Sequence, residues 1–211
     1  VLDDGTAGGS YDPTGRTFAL NEVPVIWGYL EAVTALPLPE GFMDGGLARL
    51  NVSRDAVGYV RVKDDGGPTY VYGALWINDY GGYVTVPFTY PLYDITPRST
   101  DGSTFLVASA RGRIRVRKEA DSWSYVVEAS AGGAGLALNA AGDMVGGIAK
   151  ASWMSNGGTP YLLAADGTLT ELPLPSGNAS GIATDVTDDR WIAGSLDLRT
   201  ARPAAVWVPK N

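Results

Sequence analysis

One stretch constrains the chain more than any other. Residues 136–174 read LALNAAGDMVGGIAKASWMSNGGTPYLLAADGTLTELPL. An apolar run (Leu136–Asn139) meets a tight turn (Ala140–Asp143) and a second strand (Met144–Ala149). After a loop come a third strand (Pro160–Ala164), a Gly-containing turn (Ala165–Gly167) and a fourth strand (Thr168–Leu174). Four short strands joined by turns predict one antiparallel meander.

The unit recurs. Its second strand, a small or apolar residue and then Gly after an acidic turn, returns at Asp4–Gly8, Asp55–Gly58, Asp143–Gly146 and Asp189–Gly194. Its third strand returns at Val25–Trp27, Ala74–Trp76, Tyr161–Leu163 and Ala205–Trp207. Its fourth returns at Val33–Pro39, Tyr83–Pro87 and Leu169–Pro175. A degenerate copy between them takes Asp101-Gly102 as its turn, Ser103–Ala108 as second strand and Trp123–Val127 as third. Copies spaced about 40–50 residues apart fall within the period of propeller blades. The expected fold is therefore an all-β, single-domain β-propeller over residues 1–211. Its five blades of four-stranded antiparallel sheet fall near 1–44, 45–90, 91–132, 133–175 and 176–211. The first copy lacks its first strand and the last its fourth, so closure by pairing the two ends is expected. Val1 starts within a motif, and the true start is expected upstream.

Leu50-Asn51-Val52-Ser53-Arg54-Asp55-Ala56-Val57-Gly58 with Ala74-Leu75-Trp76, and the close copy Leu138–Gly146, resemble the HAF-type repeats of bacterial extracellular proteins. The third copy departs by lacking the Val-Gly step, and the chain has no His where those repeats carry one. The resemblance implies a propeller-like fold and an extracellular, periplasmic or cell-surface location. It implies no catalytic residue.

Composition narrows the chemistry. With no His and no Cys, a Ser-His-Asp triad, a Cys nucleophile, thiolate metal sites and His-ligated zinc are excluded. A formal net charge of −7 argues against nucleic acid as a partner. No run approaches the length of a membrane-spanning helix. Carboxylate chemistry remains. Asp4, Asp55, Asp101, Asp143 and Asp189 recur at the first-to-second-strand turn. Under pseudo-symmetry they would form an oxygen-rich ring suited to calcium, or supply acids for a sugar. The plainer reading, which we favour, is that Asp and Gly are what tight turns require. No other cofactor is expected.

Arg111, Arg113, Arg115 and Arg117 alternate with Gly112, Ile114 and Val116. Period-two alternation puts four guanidinium groups on one strand face. Either the row clamps an acidic polysaccharide or acidic partner, or it keeps an outer strand soluble and unpaired. Glu119, Asp121 and Glu128 lie close enough in sequence to neutralise it. Trp153, with Met154, marks the loop 149–158 as a second candidate contact, unless that loop folds over the sheet edge. The sequons at Asn51 and Asn178 are read as chance, with the Asn51 side chain bonding the backbone.

The expected function is a non-catalytic extracellular or cell-envelope propeller that binds a protein or glycan, or builds an envelope assembly. Alternatives are a carbohydrate-active enzyme with paired Asp or Glu, and a lectin. A lectin needs the same loop chemistry in each copy, and the long loops differ.

Overall fold

Four of the five copied turns close in the same way, and the Asp101 turn closes one residue later, with Ser99 N–H donating to Thr104 O (2.7 Å). The backbone N–H of Asn51 donates to Asp55 O (2.9 Å), and that of Arg54 donates back to Asn51 O (2.9 Å). Asn139–Asp143, Thr187–Trp191 and Leu2–Thr6 repeat both bonds. The fourth residue is left-handed in every case: Gly5 at φ 80°, Arg54 at 63°, Gly142 at 89° and Arg190 at 62°. Glycine adopts this region at little cost and arginine does not. From such turns the chain builds an all-β fold. The computed structural model describes residues 2–12, 22–28, 33–63, 69–79, 82–120, 122–149, 158–175, 180–197 and 203–209.

The described strands form four antiparallel sheets of three, four, four and seven strands, and the chain divides into two compact units. The first unit, Val1–Ile95, holds a three-stranded sheet of β1 (Ala7–Tyr11), β2 (Val23–Trp27) and β3 (Thr34–Ala35). A four-stranded meander follows: β4 (Asp44–Leu50), β5 (Ala56–Lys63), β6 (Thr69–Asp79) and β7 (Gly82–Phe88). The unit ends with β8 (Leu92–Ile95). Its core gathers Ile26, Leu36, Ala56, Val60, Ala74 and Trp76.

The second unit, Thr96–Asn211, opens with β9 (Thr104–Ser109), β10 (Gly112–Glu119) and β11 (Ser122–Ala129). Next come β12 (Ala134–Leu138), β13 (Met144–Ala149), β14 (Gly158–Leu163), β15 (Leu169–Glu171), β16 (Ser180–Val186), β17 (Ile192–Asp197) and β18 (Ala204–Trp207). These last seven make one sheet in the order β12-β13-β14-β16-β17-β18, with β15 branching from β14.

That sheet corrects the expected five-bladed propeller. The presumed fourth strand of the 133–175 copy is three residues long and pairs only with Tyr161–Leu163. The other end of β14 is left open, and Gly158 pairs with Gly181 of β16. Two presumed blades thereby fuse. Nor do the ends close a ring: among the described residues β1 pairs with β2 alone and β18 with β17 alone.

The Val-Gly step has a steric cause. In three copies the first strand carries a bulge, at Leu47/Arg49, Gly135/Ala137 and Ala183/Asp185. Bulging drives its carbonyl onto the facing glycine. A Cβ at Gly58 would lie 2.0 Å from Gly46 O, at Gly146 1.9 Å from Ala134 O, and at Gly194 2.1 Å from Ile182 O. Gly146→Ala is expected to destabilise by about 3 kcal/mol, because the obstacle is backbone and cannot rotate away. Gly82→Ala, with open space around its Cβ, is the control. Denaturant titration reads both, and equal midpoints would refute the steric account.

Candidate functional site

The β10–β11 hairpin carries the densest group of exposed functional side chains described. Arg115 lies opposite Val126 and Arg117 opposite Ser124. A register shift between Arg113 and Ile114 inserts Glu128 on the side of the arginines. Glu128 accepts from Arg115 Nε and, at 3.2 Å, from Arg115 Nη2. Glu119 accepts from Ser124 Oγ at 2.7 Å. Arg115, Arg117, Glu119, Ser124, Tyr125, Val126 and Glu128 line an open cleft of about 250 Å³. On β11, Tyr125, Val126 and Val127 are 51%, 58% and 42% exposed.

The arginine row therefore splits. β10 is interior, flanked by β9 and β11, not an outer strand. Arg111 sits in the preceding turn and is exposed, as is Arg117. Arg113 is 3% exposed. Its Nη1 donates to Gly142 O (2.6 Å) and Ala164 O (3.0 Å), and its Nη2 to Ala165 O (2.9 Å). Its Nε stands 3.5 Å from Glu128 Oε2, an ion pair without a hydrogen bond. Thus Arg113 ties two turns together and offers nothing to a ligand. The cleft itself presents two guanidinium groups and two carboxylates, so its charge balances. On the other side of β11, Trp123 lies between the Arg98 guanidinium (5.0 Å from the ring centroid) and Lys118 Nζ (5.5 Å).

The five recurrent acids fall into two classes. Asp4, Asp101 and Asp189 occupy the third position of their turns and are exposed. Asp4 accepts from Thr6 N at 2.8 Å, and that bond lowers its pKa. Asp101 accepts from Ser99 Oγ (2.5 Å), Ser103 N (3.0 Å) and Ser103 Oγ (2.8 Å). These bonds, Ser99 first, bring its carboxyl down to about 2. Asp55 and Asp143 occupy the fifth position and are fully buried. Asp55 accepts from Asn51 Nδ2 (3.0 Å) and Asn78 N (2.9 Å). Asp143 accepts from Asn139 Nδ2 (3.0 Å), Ala165 N (2.9 Å), and Arg190 Nε (2.8 Å) and Nη2 (3.1 Å). Burial alone would raise the Asp143 pKa; Arg190, Asn139 and Ala165 together lower it. Among the described residues no three carboxylates gather as a cation requires. Asn51 Oδ1 accepts from the backbone N–H of Ser53 and Asp55, so the first sequon belongs to the turn clasp. Trp153, Met154, Asp121 and Asn178 lie outside the described residues.

One cluster had no signal in the sequence. Tyr59 donates its hydroxyl to Glu22. Arg61 Nε donates to buried Asp44 at 2.5 Å, and Arg61 Nη2 lies 3.5 Å from Glu22 Oε2. Neither period nor motif links residue 22 to residues 44–61; the fold does, laying the residue before β2 beside β4, where the Gly45 N–H donates to Glu22 O (2.8 Å). Burial, then the bond to Glu22 and its charge, push the Tyr59 pKa up to about 12 from 10.0. The folded state thus holds a proton that the unfolded chain releases near pH 10. Its contribution to stability is full below pH 10 and is lost as pH rises through about 12. Tyr59→Phe is expected to flatten the fall in stability over that window, read by denaturant titration at stepped pH. Superimposable curves would refute it.

Compared with family models, curated proteins and solved structures, the chain matches none. Among the described residues no helix is long and apolar enough to cross a membrane.

Proposed function

We propose that the chain is a non-catalytic binding module of the cell envelope, and that it holds a partner protein through the β10–β11 hairpin. One observation carries this reading: Val126 stands 58% exposed on the arginine face of β11, among the side chains that line a cleft of balanced charge. An exposed apolar side chain rimmed by polar ones suits the middle of a protein contact. Balanced charge suits a protein better than an acidic polysaccharide, which needs uncompensated cations. Both cleft carboxylates already accept hydrogen bonds, Glu128 from Arg115 and Glu119 from Ser124. The resemblance to HAF-type repeats supports the envelope placement.

A photo-crosslinking residue at Val126, with one at equally exposed Val52 (65% exposed) as control, tests the surface in the native envelope. Cross-linking to one protein from position 126 alone is expected. Val126→Asp is expected to weaken recovery of that protein about tenfold with the melting temperature unchanged. Equal labelling from both positions would overturn the reading.

A further inference from the structure

Among the described residues β3, β7, β11 and β15 each end a run of hairpins and pair on one side alone. An outer strand offers its backbone groups to any passing strand, and proteins blunt such edges by shortness, proline or lysine. Three of these strands are blunted. β3 has two residues and β15 three, and β7 carries Pro87, which has no N–H to donate. β11 is eight residues long and reads SWSYVVEA, with neither proline nor lysine. Its bulge lies at the far end, beside Glu128.

We propose that β11 pairs edge to edge with the β11 of a second copy of this chain, antiparallel across a two-fold axis; this rests on the hairpin reading above and names its partner. Directly opposed residues of an antiparallel pair share a face. Only registers that set odd-numbered residues against odd-numbered ones therefore keep Trp123, Tyr125 and Val127 on one apolar face. Two such registers keep nearly all of β11 paired. With Tyr125 on Tyr125 of the second copy, Glu128 lies opposite Ser122, whose neighbour on β10 is Glu119, and like charges meet. With Val126 on Val126 of the second copy, Tyr125 meets Val127, and Glu128 lies opposite Ser124, whose neighbour on β10 is Arg117. Arg117 is exposed and has no ion pair among the described residues. Charge complementarity thus selects the second register, and the two-fold axis repeats the Arg117–Glu128 contact. Each copy covers the edge of the other, so the assembly closes at two.

One strand pair makes a small interface, so the unmodified chain is sedimented at loadings from about 5 to 500 μM. A reversible doubling of mass is expected. Arg117→Glu, which turns both Arg117–Glu128 contacts repulsive, should raise the dissociation constant about tenfold. The chain has no Cys, so single cysteines read the register. Val126→Cys lies on the axis and should oxidise to a disulfide-linked dimer. Ser124→Cys, opposite Glu128, should not, and neither should Val52→Cys, which is as exposed. A single mass at every loading, growth beyond two copies, or equal oxidation at 124 and 126 would overturn the proposal. If the chain stays single while Val126 still cross-links to one other protein in the envelope, the second copy is excluded and the hairpin reading stands. Equal labelling there from Val126 and Val52 would overturn both.

Discussion

Replacing Arg113 by alanine is expected to lower the unfolding free energy by about 3–5 kcal/mol. The side chain is 3% exposed, and its guanidinium donates to the carbonyls of Gly142, Ala164 and Ala165. Removal leaves the buried Gly142 carbonyl and the part-buried Ala164 and Ala165 carbonyls short of a donor, and takes one cation from Glu128. Each lost hydrogen bond to a charged group contributes about 1.5–3 kcal/mol before relaxation. Arg113→Met, which restores much of the volume, should recover little of the loss, because the missing element is the donors. Arg117→Ala, at an exposed position of the same face, should stay within about 0.5 kcal/mol of the parent. Denaturant titration of the three variants separates the cases. A loss under about 1 kcal/mol for Arg113→Ala would mean that the guanidinium does not tie the turns.

Asp143→Ala is expected to cost about 3 kcal/mol at neutral pH. The carboxylate is fully buried and accepts four hydrogen bonds, from Asn139, Ala165 and twice from Arg190. Its loss leaves the Ala165 N–H without its acceptor, leaves Asn139 Nδ2 with Thr187 O alone (3.2 Å), and releases Arg190. Arg190 then holds a left-handed backbone at φ 62° with less to compensate. Because folding lowers the Asp143 pKa below 3.8, the contribution is full above that value and fades as pH falls through the folded pKa. The gap between parent and Asp143→Ala should therefore be widest near neutrality and shrink as pH falls below 3.8 and through the lowered folded pKa. A pH-independent gap would show that the ionised carboxyl is not what stabilises the turn. Asn139→Ala should share part of the loss. The double variant should cost less than the sum, since both residues serve one clasp.

The two tests bear on what could be read before the fold was known. Asn51 with Asp55 and Asn139 with Asp143 stand out in the sequence because each clasp spans five consecutive residues. The five aspartates look alike for the same reason: each stands in the short turn before a second strand. Their third or fifth place in the turn, exposed or buried, appears only when the backbone bonds are drawn. The arginine row is legible as a period-two pattern. The burial of Arg113 is not, because the carbonyls that receive it come from turns about 30 and 50 residues further on. Similarly, the Tyr59–Glu22 pair joins residues 37 apart.

By itself the sequence determined the strand-and-turn unit, the glycine of its second strand, its acidic turn and the Trp and Leu-Pro positions. Those features arise from steric and hydrogen-bonding demands within a few residues or one hairpin. Which sheets the units form was decided by tertiary structure alone. Strand edges are chemically alike, so a three-residue β15 suffices to leave β14 open and let Gly158 pair with Gly181. Tertiary structure likewise chose which arginine is enclosed and which stays in water, because burial depends on the segment that covers a side chain and not on its neighbours in the chain.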